Sequence, residues 1–95
     1  MKKLKGTEKQ IKWAKDIMNN AIHNLQINID RWENSDNRDF YKYYIQAYKE
    51  CKKSLEDCFD KAEYAKQIID NRDQFTTEKV FAQANFREEQ LRTGK

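Results

Sequence analysis

Proline is missing from this chain, and glycine occurs only at positions 6 and 94. Nothing between those two positions breaks a helix by its backbone chemistry, and the shortage of glycine also excludes a phosphate-cradling loop. Long apolar runs are missing as well. No stretch of about 18 apolar residues is present, which rules out a membrane-spanning helix, and Met1-Lys2-Lys3-Leu4-Lys5 is not followed by the apolar core of a signal peptide. A cytoplasmic protein with no membrane contact is expected.

Cysteine and histidine are scarce too. Cys51 and Cys58 are the only cysteines. On one helix their spacing puts them about 10.5 Å apart, beyond the roughly 7 Å that a disulfide bridges. Without CxxC spacing or a nearby histidine they read as reduced core residues. His23 has no cysteine, serine or second histidine at a spacing that suggests a triad or a metal site. No catalytic residue, cofactor or metal is expected, and the chain reads as a non-enzyme. An excess of one charge sign is also lacking: 19 Lys and Arg face 16 Asp and Glu, a net charge of +3, where a dedicated nucleic-acid binder shows a strongly basic face.

What the chain has in abundance is charge of both signs, 37% of its residues against roughly 25% in an average domain. Its 95 residues suit a single domain. Thr7-Glu8-Lys9-Gln10 has the capping-box pattern. Ile11, Ala14, Met18, Ala21, Ile22, Leu25, Ile29 and Trp32 then recur at steps of mostly three and four, predicting a helix over 7–33. Asn34-Ser35-Asp36-Asn37 supplies turn residues. Phe40, Tyr44, Tyr48, Cys51, Leu55, Cys58, Ala62, Ala65 and Ile69 alternate threes and fours and predict a second helix over 37–71. That repeat favours antiparallel packing on the first helix at about 20°. Asn71-Arg72-Asp73 interrupts the pattern. Thr76 is a candidate cap, with Phe75 and Val80 placed as a hydrophobic staple, and Val80, Phe81, Ala84 and Leu91 stripe a third helix over 77–92. The expected fold is all-α, an antiparallel three-helix bundle; the alternative is a second helix that continues unbroken to the end.

Six lysines, Lys2, Lys3, Lys5, Lys9, Lys12 and Lys15, face only Glu8 and Asp16 in the first sixteen residues. They crowd the positive end of a helix dipole, where a cation is disfavoured by roughly 0.3–1 kcal/mol. Lys5, Lys9 and Lys12 would share a face if the backbone leading into the helix were regular. This is either a solvated terminus or a patch that meets phosphates or an acidic protein. Trp13 and Ile27 point away from the main stripe of the first helix, with Ile17 at its flank. A third helix running back beside the first third of helix 1 would cover Trp13 and Ile17 and leave Ile27 open. Tyr64 and Phe86 also point off their stripes and Tyr43 lies at an edge, so Ile27, Tyr43, Tyr64 and Phe86 are candidates for a partner surface. Trp32, Phe40, Tyr41, Tyr44 and Tyr48 gather at the turn between the first two helices, most simply as a core that closes that end. The acids of helix 2, Glu56, Asp57, Asp60 and Glu63, alternate with Lys52, Lys53, Lys61 and Lys66 as a solvated face does.

Gly6-Thr7-Glu8-Lys9-Gln10-Ile11-Lys12-Trp13-Ala14-Lys15-Asp16-Ile17 resembles a segment, Gly-Ser/Thr-Glu-Lys-Gln-Ile-x-Trp-Ala-x-x-Ile, of small uncharacterised proteins from Gram-positive bacteria, their phages and mobile elements. The resemblance covers residues 6–17 and implies genomic origin more than mechanism. By analogy, short helical proteins of such genomes bind and block a host or rival machine, defence nucleases included. The expected partner is then a host protein or ribonucleoprotein complex. The alternatives are a nucleic-acid-binding accessory protein that uses the lysine patch, and a homo-oligomer formed through the two-faced first helix.

Overall fold

The computed structural model describes residues 3–94. In chain order it holds α1 (Glu8–Glu33), α2 (Lys42–Lys61), α3 (Ala65–Asp70), a 3-10 helix (Arg72–Phe75) and α4 (Thr77–Thr93). The class is all-α, with four helices where the periodicity predicts three. α1 starts on its capping box: Thr7 Oγ1 accepts the Gln10 N–H and Gln10 Oε1 accepts the Thr7 N–H, each at 3.1 Å, which satisfies two otherwise unpaired donors. α4 starts on the predicted cap, with Thr76 Oγ1 accepting the Lys79 N–H at 3.3 Å. It ends on Gly94 in the left-handed region, where a residue with a Cβ would be strained.

The predicted second helix divides. Residues 34–41 form a turn, so α2 begins at Lys42, and the helix stops again at Ala62 and Tyr64, whose backbones are extended. The cause lies far away in sequence. Lys5 forms a parallel bridge with Tyr64: its N–H donates to Glu63 O at 3.0 Å, and its carbonyl accepts the Ala65 N–H at 2.9 Å. Leu4 is buried beside it, 4% exposed. Gly6 turns the chain into α1 at a φ of +151°, so close to the junction that a Cβ there would meet Gln10 Oε1 at 2.9 Å and the Ala65 Cβ at 3.4 Å.

α2 packs on α1 and on α4, and α1 packs on α3. Trp32 near the end of α1 meets Tyr44 and Tyr48 near the start of α2, with ring centroids 5.3 and 4.7 Å away, while Lys5, just before α1, meets Glu63, just beyond α2. The two helices therefore run antiparallel. Asn24 Nδ2 donates to Thr77 Oγ1 at 2.8 Å, which sets the start of α4 at the middle of α1. Val80 O lies 3.9 Å from Cys51 Sγ and Asn85 Oδ1 accepts the Tyr48 hydroxyl at 2.7 Å, so α4 runs back along the first half of α2. It lies beside the later part of α1, not the first third. Trp13, expected beneath it, is consequently 48% exposed, and Ile17 is half-buried.

Ala14, Met18, Ala21, Leu25 and Ile29 form the buried stripe of α1 as the spacing predicts. On α2 the stripe shifts. Ile45, Ala47, Tyr48, Leu55 and Phe59 are buried, Phe40 is 74% exposed, and Cys58 is exposed although it was expected in the core. A helix covered on two sides buries a broader arc than a single seam would, which brings in Ile45 and Ala47. Phe59 turns inward against Phe75, 5.1 Å between centroids.

Gly6→Ala combines a positive φ with a close contact and is expected to destabilise the fold by about 1–3 kcal/mol. A lower urea midpoint at unchanged m would show this; an unchanged midpoint would contradict the geometry. A second expectation concerns alkali. Burial, with Tyr44 and Cys51 adding to it, pushes the Tyr48 phenol above its ordinary value. The neutral phenol therefore contributes stability that is whole below the ordinary value of about 10 and is lost as pH rises through the folded value. Urea midpoints taken from about pH 8 to about pH 11 should fall less steeply for Tyr48→Phe than for the wild type.

Candidate functional site

Lys5 and the lysines of α1 stand on different backbone. Lys5 precedes the helix on extended backbone, so the α-helical step that would align it with Lys9 and Lys12 does not apply. Its ammonium lies 3.0 Å from Glu63 Oε1 and 5.7 Å from the centre of the Tyr64 ring. Both partners of the ion pair are exposed, so the pair contributes little to stability and a competing anion can displace Glu63 from Lys5. Lys9 and Lys12 stand exposed on α1. Lys12 borders an open groove of about 430 Å³ together with Glu8, Ile11, Lys15, Asp16 and Asn19. Lys2 lies outside the described residues.

Between α1 and α3 runs a seam with a different character. Lys5, Gly6, Gln10, Tyr64, Lys66, Gln67 and Asp70 line a groove of about 320 Å³. One helical turn beyond Gln10 stands Trp13, with the Arg72 guanidinium 5.4 Å from its ring centre. The seam thus presents two aromatic rings, each 48% exposed and each beneath a cation at a distance typical of cation–π contact. Sequence reasoning reached Lys5, Trp13 and Tyr64 separately. It missed Lys66, which read as part of a solvated face, and Arg72, which read as part of an interruption. Only the bend at residues 62–64 brings these groups to one edge.

The off-stripe apolar residues are scattered over different helices. Ile27 is 41% exposed on the side of α1 opposite Leu25 and Ile29, and Phe86 is 63% exposed on the side of α4 opposite Ala84 and Glu88. Tyr43 is half-buried, with Lys42 Nζ 5.0 Å from its ring centre. Of the seven candidate contact residues, the structure brings Lys5 and Tyr64 together. Phe40, assigned by its spacing to the core, instead projects outward from the turn and meets Tyr41 edge-on at 5.1 Å. Trp32, Tyr44 and Tyr48 close that end of the molecule as expected.

The polar groups inside have structural partners. Cys51 is half-buried, and burial pushes its thiol above the ordinary value, away from the thiolate that nucleophilic chemistry uses. Cys58 is a free thiol beside an open groove of about 370 Å³ that Phe75, Ile68 and Ala62 also line. Glu88, 3% exposed, accepts from Arg92 Nε at 2.8 Å. That pair was legible as an i, i+4 acid and base, and the step of four from Val80 through Ala84 to Glu88 marks the buried side. Among the described residues no group of three or more His, Cys, Asp and Glu is placed to hold a metal ion, and no helix is long and apolar enough to cross a membrane.

The arrangement offers surfaces for binding: an outward phenyl on α4, an outward isoleucine on α1, and a cationic aromatic seam along α1 and α3. Compared with protein-family models, with curated proteins and with solved structures, the chain matches none.

Proposed function

We propose that this chain is a non-enzymatic interaction protein of phage or mobile-element origin, which acts in the host cytoplasm by occupying a surface of a larger host complex. In its sharpest form it is an anti-defence inhibitor that binds and blocks a host nuclease complex. The observation that supports a binding role most directly is Phe86: a large apolar side chain 63% exposed on a helix whose opposite side is core. Such residues anchor protein interfaces when a partner covers them. The origin rests on the resemblance of residues 6–17, and the inhibitory role on analogy with short helical proteins of such genomes. The architecture suits the reading if α3, the 3-10 turn and α4 are taken as one broken leg beside α1 and α2, a three-legged bundle that presents outer helix faces to a target.

The two exposed rings of the α1–α3 seam favour a second reading, in which the chain contacts nucleic acid, alone or within a ribonucleoprotein target. Base stacking on Trp13 and Tyr64 would combine with phosphate contacts from Lys5, Lys66 and Arg72. The acids Glu63 and Asp70 at the same seam limit the net positive charge.

Capture from a Gram-positive host lysate, with and without nuclease, tests the first reading. A stoichiometric protein partner that survives nuclease is expected. Phe86→Ala should weaken that complex about 10- to 30-fold, a loss of about 1.4–2 kcal/mol, while shifting folding stability by less than about 0.5 kcal/mol. Binding unaffected by Phe86→Ala and by Ile27→Ala would refute the assignment of these faces. For the second reading, a direct complex with single-stranded nucleic acid should weaken with salt, and Lys66→Ala should reduce the log–log salt slope by about 1. An unchanged slope would count against the seam.

A further inference from the structure

Residues 61–66, Lys-Ala-Glu-Tyr-Ala-Lys, contain no proline or glycine, and Ala62, Ala65 and Ile69 continue the spacing of Leu55 and Cys58. By local propensity the segment is helix. Between Lys61 and Ala65 the backbone nevertheless leaves the helix, with ψ of 127° at Ala62 and 137° at Tyr64. In a continuous helix the N–H groups of Glu63, Tyr64 and Ala65 would donate to the carbonyls of Phe59, Asp60 and Lys61. Here the first two donate to Gln67 Oε1, each at 2.9 Å, and the third donates to Lys5 O at 2.9 Å. These three donors are satisfied in either arrangement, so hydrogen-bond accounting alone does not choose between them. What distinguishes the bent form is the N-terminal segment: the two backbone bonds of Lys5 and the buried side chain of Leu4. A local preference overruled by a distant contact is a conflict of the kind that occurs at functional or strained sites.

We propose that the α2–α3 junction is a two-state hinge held bent by residues 4–6, and that its straight form, one helix from Lys42 to Asp70, hands α3, the 3-10 turn and α4 to a second copy of this chain. Straightening carries Ile68, Ile69, Val80 and Ala84, all buried in the bent form, away from α1 and α2 of their own chain. The surface complementary to them is the same surface on another copy. Reciprocal exchange closes a two-fold dimer and rebuilds each core apart from the contacts of Leu4 and Lys5. The N-terminal segment thereby decides whether the protein presents one bundle or a linked pair.

The test measures mass by light scattering and carbon-13 Cα shifts at Ala62 and Tyr64 in the full chain. Two variants release the segment: Lys5→Pro removes the donor to Glu63, and Leu4→Asp makes burial of the segment unfavourable. Glu63→Pro, added to each, forbids a helix through the hinge while matching the extended backbone of the residue before it. The expected result is a wild type that is monomeric with extended shifts at the hinge. A released variant should double in mass with helical shifts there, and should revert to the monomer when Glu63→Pro is added. Release variants that stay monomeric with extended shifts, dimers whose hinge remains extended or that persist with Glu63→Pro, or loss of folded structure in both release variants would each overturn the proposal. None of these readouts depends on the host complex, so they stand apart from the proposed function.

Discussion

The hydrogen bonds that Lys5 makes with Glu63 and Ala65 redirect the chain after α2. Without a bend at residues 62–64, α2 would run on in its own direction and carry α3 past the N-terminal end of α1. With the bend, α3 folds back onto α1, the 3-10 turn brings Phe75 against Phe59, and α4 emerges at the middle of α1, where Thr77 meets Asn24. A pairing one residue wide thus sets the position of the last third of the protein. It does so because the segment around it is constrained on both sides: Leu4 is buried before it, and Gly6 permits the sharp turn into a capped helix after it.

α2 holds the rest together because two helices share it. Trp32 closes it against α1, and the Tyr48 hydroxyl ties it to α4 through Asn85. Tyr48 therefore stands where all three helices meet, ring edge toward Trp32 and ring plane tilted toward Phe81. Such a residue supplies apolar area to two interfaces and spends its one polar group on a specific partner. The ion pairs Lys49–Glu33 and Arg87–Glu50 reach across the same interfaces from exposed positions. There they favour one alignment of the helices over others more than they add stability.

The surfaces left over by this packing are where binding is read. Phe86 and Ile27 sit on helices whose orientation is fixed by buried neighbours two residues away, so little ordering cost attaches to their use in an interface. The α1–α3 seam differs in kind, because its rings and cations come from three separate segments that the bend at 62–64 assembles. Chemistry that needs a deprotonated thiol or a metal ligand set finds less support: the Cys51 thiol is held toward its neutral form by burial, and Cys58 is a single exposed sulfur.

Local information was enough for much of the fold. The capping box at Thr7, the stripe from Ala14 to Ile29 and the cap at Thr76 involve neighbours within a few residues, and helix chemistry of that range is written directly in the residue order. The candidate surface at Ile27 and Phe86 was legible for the same reason, since a helix of known phase shows which residues oppose its stripe. The bend at 62–64, the outward turn of Phe40 and Cys58, the half-exposure of Trp13 and the meeting of Arg72 with Trp13 were not legible. Lys-Ala-Glu-Tyr-Ala-Lys favours a helix on its own, and the contact that breaks it comes from Leu4 and Lys5, nearly sixty residues earlier in the chain. The residues by themselves determined where α1 and α4 begin and which side of α1 is buried. Tertiary structure decided where the second helix ends, because the acceptor of the Ala65 N–H there is the Lys5 carbonyl and the donor to the Glu63 carbonyl is the Lys5 N–H, and only the folded chain brings Lys5 within reach.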